Sequence, residues 1–375
     1  MPITIGALKE SAPGETRVSL VPEVVDKFTA AGARVVLESG AGARAQFPDA
    51  LYKKGEWSSS STILAQADVV LTVAPLSLEQ IAQLKPGAVV IGFLQAHSRP
   101  AEVKALRDRK ITSFAVELIP RISRAQSMDG LSSQASLAGY KAVLIAANNL
   151  EKFMPMLTTA AGTIRPSQAL IIGAGVAGLQ AIATARRLGA VVEAYDVRSA
   201  TREQVKSLGA KFVETGVSAD GVGGYARELT PEEKAKQQEA LDSRIAAADA
   251  VIATAAVPGR KAPVIISKAA VERMRTGSVI VDIAAEQGGN CELTRAGETV
   301  ISANGVKVIG PVNLAGTLAY NASEMYARNL FNFLKPAIDK SGELKIDWND
   351  EVFAGAVLTH DGAIKHEATR KAVEG

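Results

Sequence analysis

Cysteine and histidine are almost absent from this 375-residue chain, which has one cysteine, Cys291, and three histidines, His97, His360 and His366. A lone cysteine excludes an internal disulfide framework and a Cys-based zinc site, so no metal is expected. Blocks of Lys or Arg are missing as well. The 42 basic and 39 acidic residues give a net charge of +3, spread so that no nucleic-acid footprint forms. The start, MPITIGALKE, lacks a basic segment before an apolar core. It does not read as a secretory signal, and the chain reads as soluble and intracellular. Pro166 to Ala185 carries no charge and is as long as a membrane span. It holds Ser167, Gln168 and three glycines between Arg165 and Arg186. A strand, a glycine turn and a helix explain it better, and no direct membrane span is expected.

What is present is ample material for two cores: 47% hydrophobic and 22% charged residues, at a length that suggests two domains. The apolar runs are short, β-branched and continuous, as expected of parallel strands buried on both faces. In the first third they are 3–8, 33–39, 67–73, 88–94 and 111–117; in the middle, 169–174, 190–196, 249–255, 278–284 and 307–310. Amphipathic stretches between them, such as Pro22 to Ala31 with Gly32 at its end, read as helices. AQADVVLTVAP followed by KPGAVVIGFL echoes AAADAVIATAAVPG followed by RTGSVIVDIA. The fold class is therefore α/β: two doubly wound parallel-sheet (Rossmann-like) domains separated by a cleft.

The segment 121–139 is polar and small and reads as a connection, followed by an apolar helix from Tyr140 to Phe153. A long helical pattern covers roughly Leu314 to Leu334, stopped by Pro336. The tail reads as a hairpin turning at Asp361-Gly362. Because a helix leaving the second sheet can return to the first, the expected domains are 1–131 plus 312–375, discontinuous, and 132–311.

Only the second half has a glycine fingerprint. Gly173-Ala174-Gly175-Val176-Ala177-Gly178 is GxGxxG between a strand, ALII, and a helix, GLQAIATARRLG. That context gives the pattern its mechanism: a tight turn, close approach of a pyrophosphate, close helix–strand packing and a helix N-terminus for the anion. The next strand ends at Asp196, 18 residues past Gly178. A carboxylate there accepts from a ribose diol and repels a 2′-phosphate, which favours NAD over NADP. Arg198 is an arginine of the kind that accommodates such a phosphate.

Most dehydrogenases of alcohols, hydroxy acids or amino acids also move a proton and keep a base for it. The histidines here lie in the tail and in a polar loop, where none is well placed. Hydride transfer between two nicotinamide rings changes no heteroatom's protonation; it needs alignment and water exclusion instead.

The strings PRISRAQSMD (120–129), LSSQASLAGY (131–140), MLTTAAGTI (156–164), GAGVAGLQAIATARRLGA (173–190), GGYARE (223–228), EQGGNC (286–291) and DGAIKH (361–366) run across nearly the whole chain. On these, the sequence resembles the alanine dehydrogenase/transhydrogenase family, in particular the NAD(H)-binding domain I, or alpha-1 chains, of proton-translocating NAD(P)+ transhydrogenases. The resemblance implies a homodimer docked through membrane-embedded subunits on the cytoplasmic, inner face of the cell membrane. It also implies hydride transfer from NADH to NADP+, the NADP(H) being bound on a partner's domain III. The absence of a long membrane-spanning C-terminus matches the split-subunit form.

The resemblance also implies site residues. Arg121, Gln126 and Asp129 belong to a loop that holds the reacting nicotinamide, with Ile122, Ser123, Ser127, Met128 and Ser132 beside them. Arg121 and Asp129 address the carboxamide and neighbouring phosphate or ribose groups; Gln126 reaches the second nucleotide's ribose. Gly173, Ala174, Gly175, Val176 and Gly178 form the pyrophosphate turn, and Asp196, Val197 and Arg198 the adenosine edge. Gly224, Tyr225 and Gln237 belong to a mobile segment over the nucleotide, and Ala256 to a contact past a strand end. The alternative is an alanine dehydrogenase-like amino-acid oxidoreductase. Its lysine and histidine positions, however, are Val73 and Gln95 here, with Arg17 retained.

Overall fold

The computed structural model describes residues 2–217, 230–256, 259 and 261–374. The chain divides into two compact units, one of residues 1–134 with 315–375 and one of residues 135–314. The first is built on an eight-stranded sheet. In spatial order its strands are Ala363–Ile364, Val357–His360, Thr112–Ala115, Val89–Gly92, Val69–Leu71, Thr4–Ala7, Arg34–Glu38 and Glu56–Ser58. The six strands from the N-terminal part run parallel, and the tail hairpin joins antiparallel at one edge. The second unit has a seven-stranded sheet, in the order Lys211–Phe212, Val191–Tyr195, Gln168–Ile172, Ala250–Ala253, Val279–Asp282, Lys307–Ile309 and Thr299–Ile301. Only the last of these strands is antiparallel. The class is α/β, with two Rossmann-like parallel-sheet domains.

Alternation along the strands builds a core on each sheet face. In the first unit Ile5, Leu37, Val69, Leu71 and Ile91 face the helices Pro22–Ala30 and Ala319–Leu334, meeting Phe28, Tyr326, Leu330 and Phe333. Val36, Val70 and Val90 face the other way, onto Ile63, Ile81 and Leu106. In the second unit Ile171, Val192 and Ile252 pack with Ala142, Ala146 and Ile182; Leu170, Ile172 and Val251 pack with Leu241, Ile245 and Val271. Each such aliphatic side chain contributes about 1.5–3 kcal/mol on burial. Both faces are covered, which is why the strands read as continuous apolar runs.

All ten expected interior strands are present, each trimmed by a residue or two. The uncharged run resolves into the strand Gln168–Ile172, a turn and the helix Val176–Arg187. The tail turns at Asp361 (φ 50°) and Gly362 (φ 72°), the positive pair of a two-residue hairpin turn. The residues 121–139 differ from expectation. A helix starts at Gly130 and runs to Asn149, so the junction between the units falls inside it. The Asp129 carboxylate starts it by accepting from the Ser132 N–H (2.8 Å) and hydroxyl (2.6 Å), a cap that satisfies orphan donors. Its small residues serve packing: a Cβ on Gly139 would overlap the carbonyl oxygen of Ala177. The pattern at 314–334 likewise divides into a 3-10 turn, Leu314–Leu318, and the helix Ala319–Leu334.

Tyr326 is fully buried, and its hydroxyl donates to the Thr72 carbonyl at 2.8 Å. Tyr326→Phe leaves that carbonyl unsatisfied and should lower unfolding stability by about 1–3 kcal/mol in urea titration, with the circular dichroism of the native state unchanged.

Candidate functional site

In the second unit Gln168–Ile172 is the central strand at which the sheet order reverses, and ligands bind open α/β sheets at the carboxyl ends of strands at such a point. The chain leaves it through Gly173, whose φ is +93° and whose N–H donates to the Tyr195 carbonyl at 2.8 Å. From the neighbouring strand's end the Thr254 hydroxyl donates to the carbonyls of Ile172 (3.1 Å) and Gly173 (3.0 Å). A Cβ on Gly178 would overlap the Gly173 carbonyl oxygen, so the third glycine closes the helix onto the turn. At Gly175, by contrast, nothing lies within 4 Å of where a Cβ would stand. Gly175 precedes the helix Val176–Arg187, and no side chain caps that helix. Open space in front of uncapped helical N–H groups fits a pyrophosphate.

Asp196 follows the strand Val191–Tyr195 and is only 9% exposed. Its Oδ1 accepts from the N–H (2.8 Å) and Nε (2.9 Å) of Arg198. Its Oδ2 accepts from the Ala174 N–H (2.7 Å) and the Nη2 of Arg198 (2.8 Å). Burial pushes this carboxyl up, but the Arg198 guanidinium and the two amides outweigh it and hold it below the usual aspartate value. Beside Asp196 a pocket of about 340 Å³ is lined by Val197, Arg202, Phe212, Glu214 and Gln237 among others. The Arg202 guanidinium stands over the Phe212 ring at 5.5 Å, and its Nη2 donates to Glu214 at 2.9 Å. Val176 and Ala256 are exposed, the latter past the strand Ala250–Ala253. The structure therefore gathers the turn, Asp196, Val197, Arg198 and Gln237 at the carboxyl edge of this sheet. Gly224 and Tyr225 lie outside the described residues. Sequence reasoning did not single out Thr254, Arg202, Phe212 or Glu214. Phe212 was traceable, since it ends a strand at the same edge.

In the first unit a 3-10 segment, Ser123–Met128, carries the loop residues. Ala125 and Met128 are buried in the core, and Ile122 packs against it. The Ser127 carbonyl accepts from the side-chain amides of Asn329 (2.9 Å) and Asn332 (3.0 Å). Arg124 forks onto Asp350 at 2.9 and 2.5 Å. Arg121, Ser123, Gln126 and Ser127 stay exposed, and among the described residues neither Arg121 nor Gln126 forms a side-chain hydrogen bond. Ser132 and Asp129 are engaged in the helix cap. Met128 offers only its backbone.

The carboxyl edge of the first sheet is closed by its own side chains. Arg17 directs Nε (2.8 Å) and Nη2 (2.6 Å) onto Glu15 and Nη1 (2.9 Å) onto Gln134. Glu10 accepts from the N–H groups of Val73 (2.6 Å) and Ala74 (3.1 Å); burial pushes its carboxyl up to about 7, against those amides. Glu117 accepts from the N–H groups of Leu94 (3.1 Å) and Gln95 (2.6 Å), and burial raises it too. Val73 is buried and Gln95 exposed. His360 bonds Thr112 at 2.9 Å and stacks on Trp348, and His366 bonds Thr369 at 2.7 Å.

Two family models cover the chain: the N-terminal domain of alanine dehydrogenase/PNT over residues 6–138 and the C-terminal domain over residues 142–367. The chain belongs to the alanine dehydrogenase/PNT family. It is 48% identical over 373 residues to the first of the split chains of NAD(P) transhydrogenase subunit alpha in Rhodospirillum rubrum, covering 96% of this chain and 97% of that one. The solved structure of a transhydrogenase from Sinorhizobium meliloti is similar at a TM-score of 0.87 and 43% identity, over 96% of this chain and 99% of that one. Alanine dehydrogenase of Bacillus subtilis is 27% identical over 380 residues, 98% of this chain and 94% of that one. The similarity within the family is thus greater on the transhydrogenase side.

Gly178→Ala should lower unfolding stability by about 1–3 kcal/mol through overlap with the Gly173 carbonyl. Gly175→Ala, facing open space, should stay within about 0.5 kcal/mol in the same urea titration.

Proposed function

We propose that this chain is the NAD(H)-binding subunit of a proton-translocating NAD(P)+ transhydrogenase. The observation that carries the reading is the open glycine turn beside Asp196, in a chain 48% identical to a transhydrogenase alpha subunit. When bound, NADH supplies a hydride from C4 of its nicotinamide, and the acceptor is NADP+ on a partner's domain III. The chain's own residues bind and orient. The turn Gly173–Gly178 holds the pyrophosphate, Asp196 addresses the adenosine ribose, and Val197, Arg198, Gln237 and Ala256 flank the adenosine. Arg121 and Asp129 address the nicotinamide carboxamide: a guanidinium donates to its oxygen and a carboxylate accepts from its NH2. Ser123, Ser127 and Ser132 add hydroxyl contacts, and Gln126 reaches the second nucleotide. No step requires a general base, which agrees with histidines engaged in local contacts.

Amino-acid oxidation is disfavoured by the first unit. Val73 and Gln95 offer no ammonium or imidazole, and Arg17 already has an internal carboxylate partner. Mixing the purified chain with an NADP(H)-binding domain III should give nucleotide-to-nucleotide hydride exchange, while pyruvate, ammonia and NADH give no turnover. Alanine formation, or no exchange, overturns the reading. Gln126→Asn should leave NADH binding to the chain nearly unchanged and slow exchange at least tenfold, since small misplacement of reacting carbons is costly.

The partners follow the same reading: a homodimer, held at the inner face of the cell membrane through membrane-embedded subunits. Among the described residues no helix is long and apolar enough to cross a membrane. A two-stranded ribbon, Leu157–Thr159 with Gly162–Ile164, is exposed throughout. Met156, Leu157 and Ile164 on it are 66%, 36% and 43% exposed, an apolar surface that a second copy would cover. Sedimentation at micromolar concentration should report a dimer for the wild type and a folded monomer for Leu157→Asp.

A further inference from the structure

The carboxylate assigned to the adenosine ribose has no acceptor position left. An ionised carboxyl offers about four lone-pair sites, and all four on Asp196 are used. Two of the donors are backbone N–H groups, of Ala174 and Arg198, fixed by the turn and the strand end. The other two, Nε and Nη2, belong to one guanidinium whose side chain is 51% exposed. Asp196 itself lies beneath it, 9% exposed. A ribose diol also brings two O–H donors. It can reach both carboxylate oxygens only by taking the positions the guanidinium holds.

We propose that Arg198 is a latch on the ribose site and a specificity-determining residue of this chain. The inference rests on the dinucleotide reading above. In the free chain the guanidinium fork occupies the acceptor positions that NADH requires, and it leaves as the diol enters. The number of hydrogen bonds is conserved in the exchange. A charge-assisted bidentate pair is nevertheless replaced by neutral hydroxyl donors, so each NADH binding event carries the cost of opening. NADPH meets the same residue differently. Its 2′-phosphate has no proton to give Asp196 and is repelled by it, but the displaced guanidinium is free to pair with that phosphate. One arginine thus weakens NADH and assists NADPH, and the selectivity that Asp196 alone would impose is reduced from both sides.

The test is equilibrium titration of the full chain with NADH and with NADPH, for the wild type, Arg198→Met and Arg198→Lys. Methionine keeps the length of the stem and removes every donor. Arg198→Met should tighten NADH at least threefold and weaken NADPH, so that the ratio of the two dissociation constants rises at least tenfold. Arg198→Lys, whose single ammonium cannot span both oxygens, should fall between the two for NADH and retain most of the NADPH affinity. If Arg198→Met leaves NADH unchanged or weaker, or leaves the ratio unchanged, the latch is wrong and Arg198 is an ordinary contact or framework residue. A wild-type chain that binds neither nucleotide overturns the dinucleotide reading itself, an outcome distinct from failure of the latch.

Discussion

The contact between residue 178 and the carbonyl of Gly173 leaves no volume for a side chain, and the second unit is arranged around that constraint. It brings the start of the helix Val176–Arg187 directly onto the end of the central strand. The helix dipole then points at the space over Gly175 rather than at a protein group. Thr254 on one neighbouring strand and Tyr195 on the other tie the turn from both sides. Gly139 applies the same economy of volume to the adjacent helix, which crosses at the Ala177 carbonyl. The backbone is thereby preorganised for an anion without any charged side chain in the turn.

The two sheets share an architecture and differ in what stands at their carboxyl edges. In the second, the turn is open and a pocket lies beside Asp196. In the first, Glu10, Glu15 and Glu117 have turned inward onto backbone N–H groups and Arg17. Buried carboxylates there are satisfied by local donors, so their desolvation is offset within the unit. Arg17 is engaged as fully as its partners. The same scaffold thus serves as a nucleotide-binding edge in one copy and a self-satisfied polar seam in the other. The first unit's contribution to function is then the loop at 121–129, whose buried residues Ala125 and Met128 fix it while Arg121 and Gln126 project outward.

The interior strands were legible because burial on both faces forces continuous β-branched runs. The edge strand Glu56–Ser58 was not, since its Glu, Trp and Ser are exposed or half-buried and carry no run. Neither was the short ribbon at 157–164, with exposed residues and no core to mark it. The helix start at Gly130 was hidden because serine, alanine and glycine read as a connection; they are small to admit the Ala177 carbonyl, a tertiary demand that local propensity does not reveal. At the site, the glycine spacing and Asp196 could be read in order along the chain. The fork from Arg198 could not, because spacing places a side chain on an edge without saying which way it turns. The pocket wall of Arg202, Phe212 and Glu214 depended in the same way on tertiary placement.

The amides of Asn329 and Asn332 that grip the Ser127 carbonyl come from a helix some 200 residues later in the chain. That separation sets an order on synthesis. Residues 135–314 form a complete compact unit by themselves, and all of them leave the ribosome before Asn329 does. The nucleotide-binding unit can therefore close its cores while the first sheet still lacks Tyr326, Leu330 and Phe333 on one face and the tail hairpin on its edge. Domains generally fold as units during translation. Here the amino-terminal sheet, though made first, must wait for the last sixty or so residues. Until then its apolar face is uncovered, and the loop at 121–129 acquires its fixed shape only as the chain is finished.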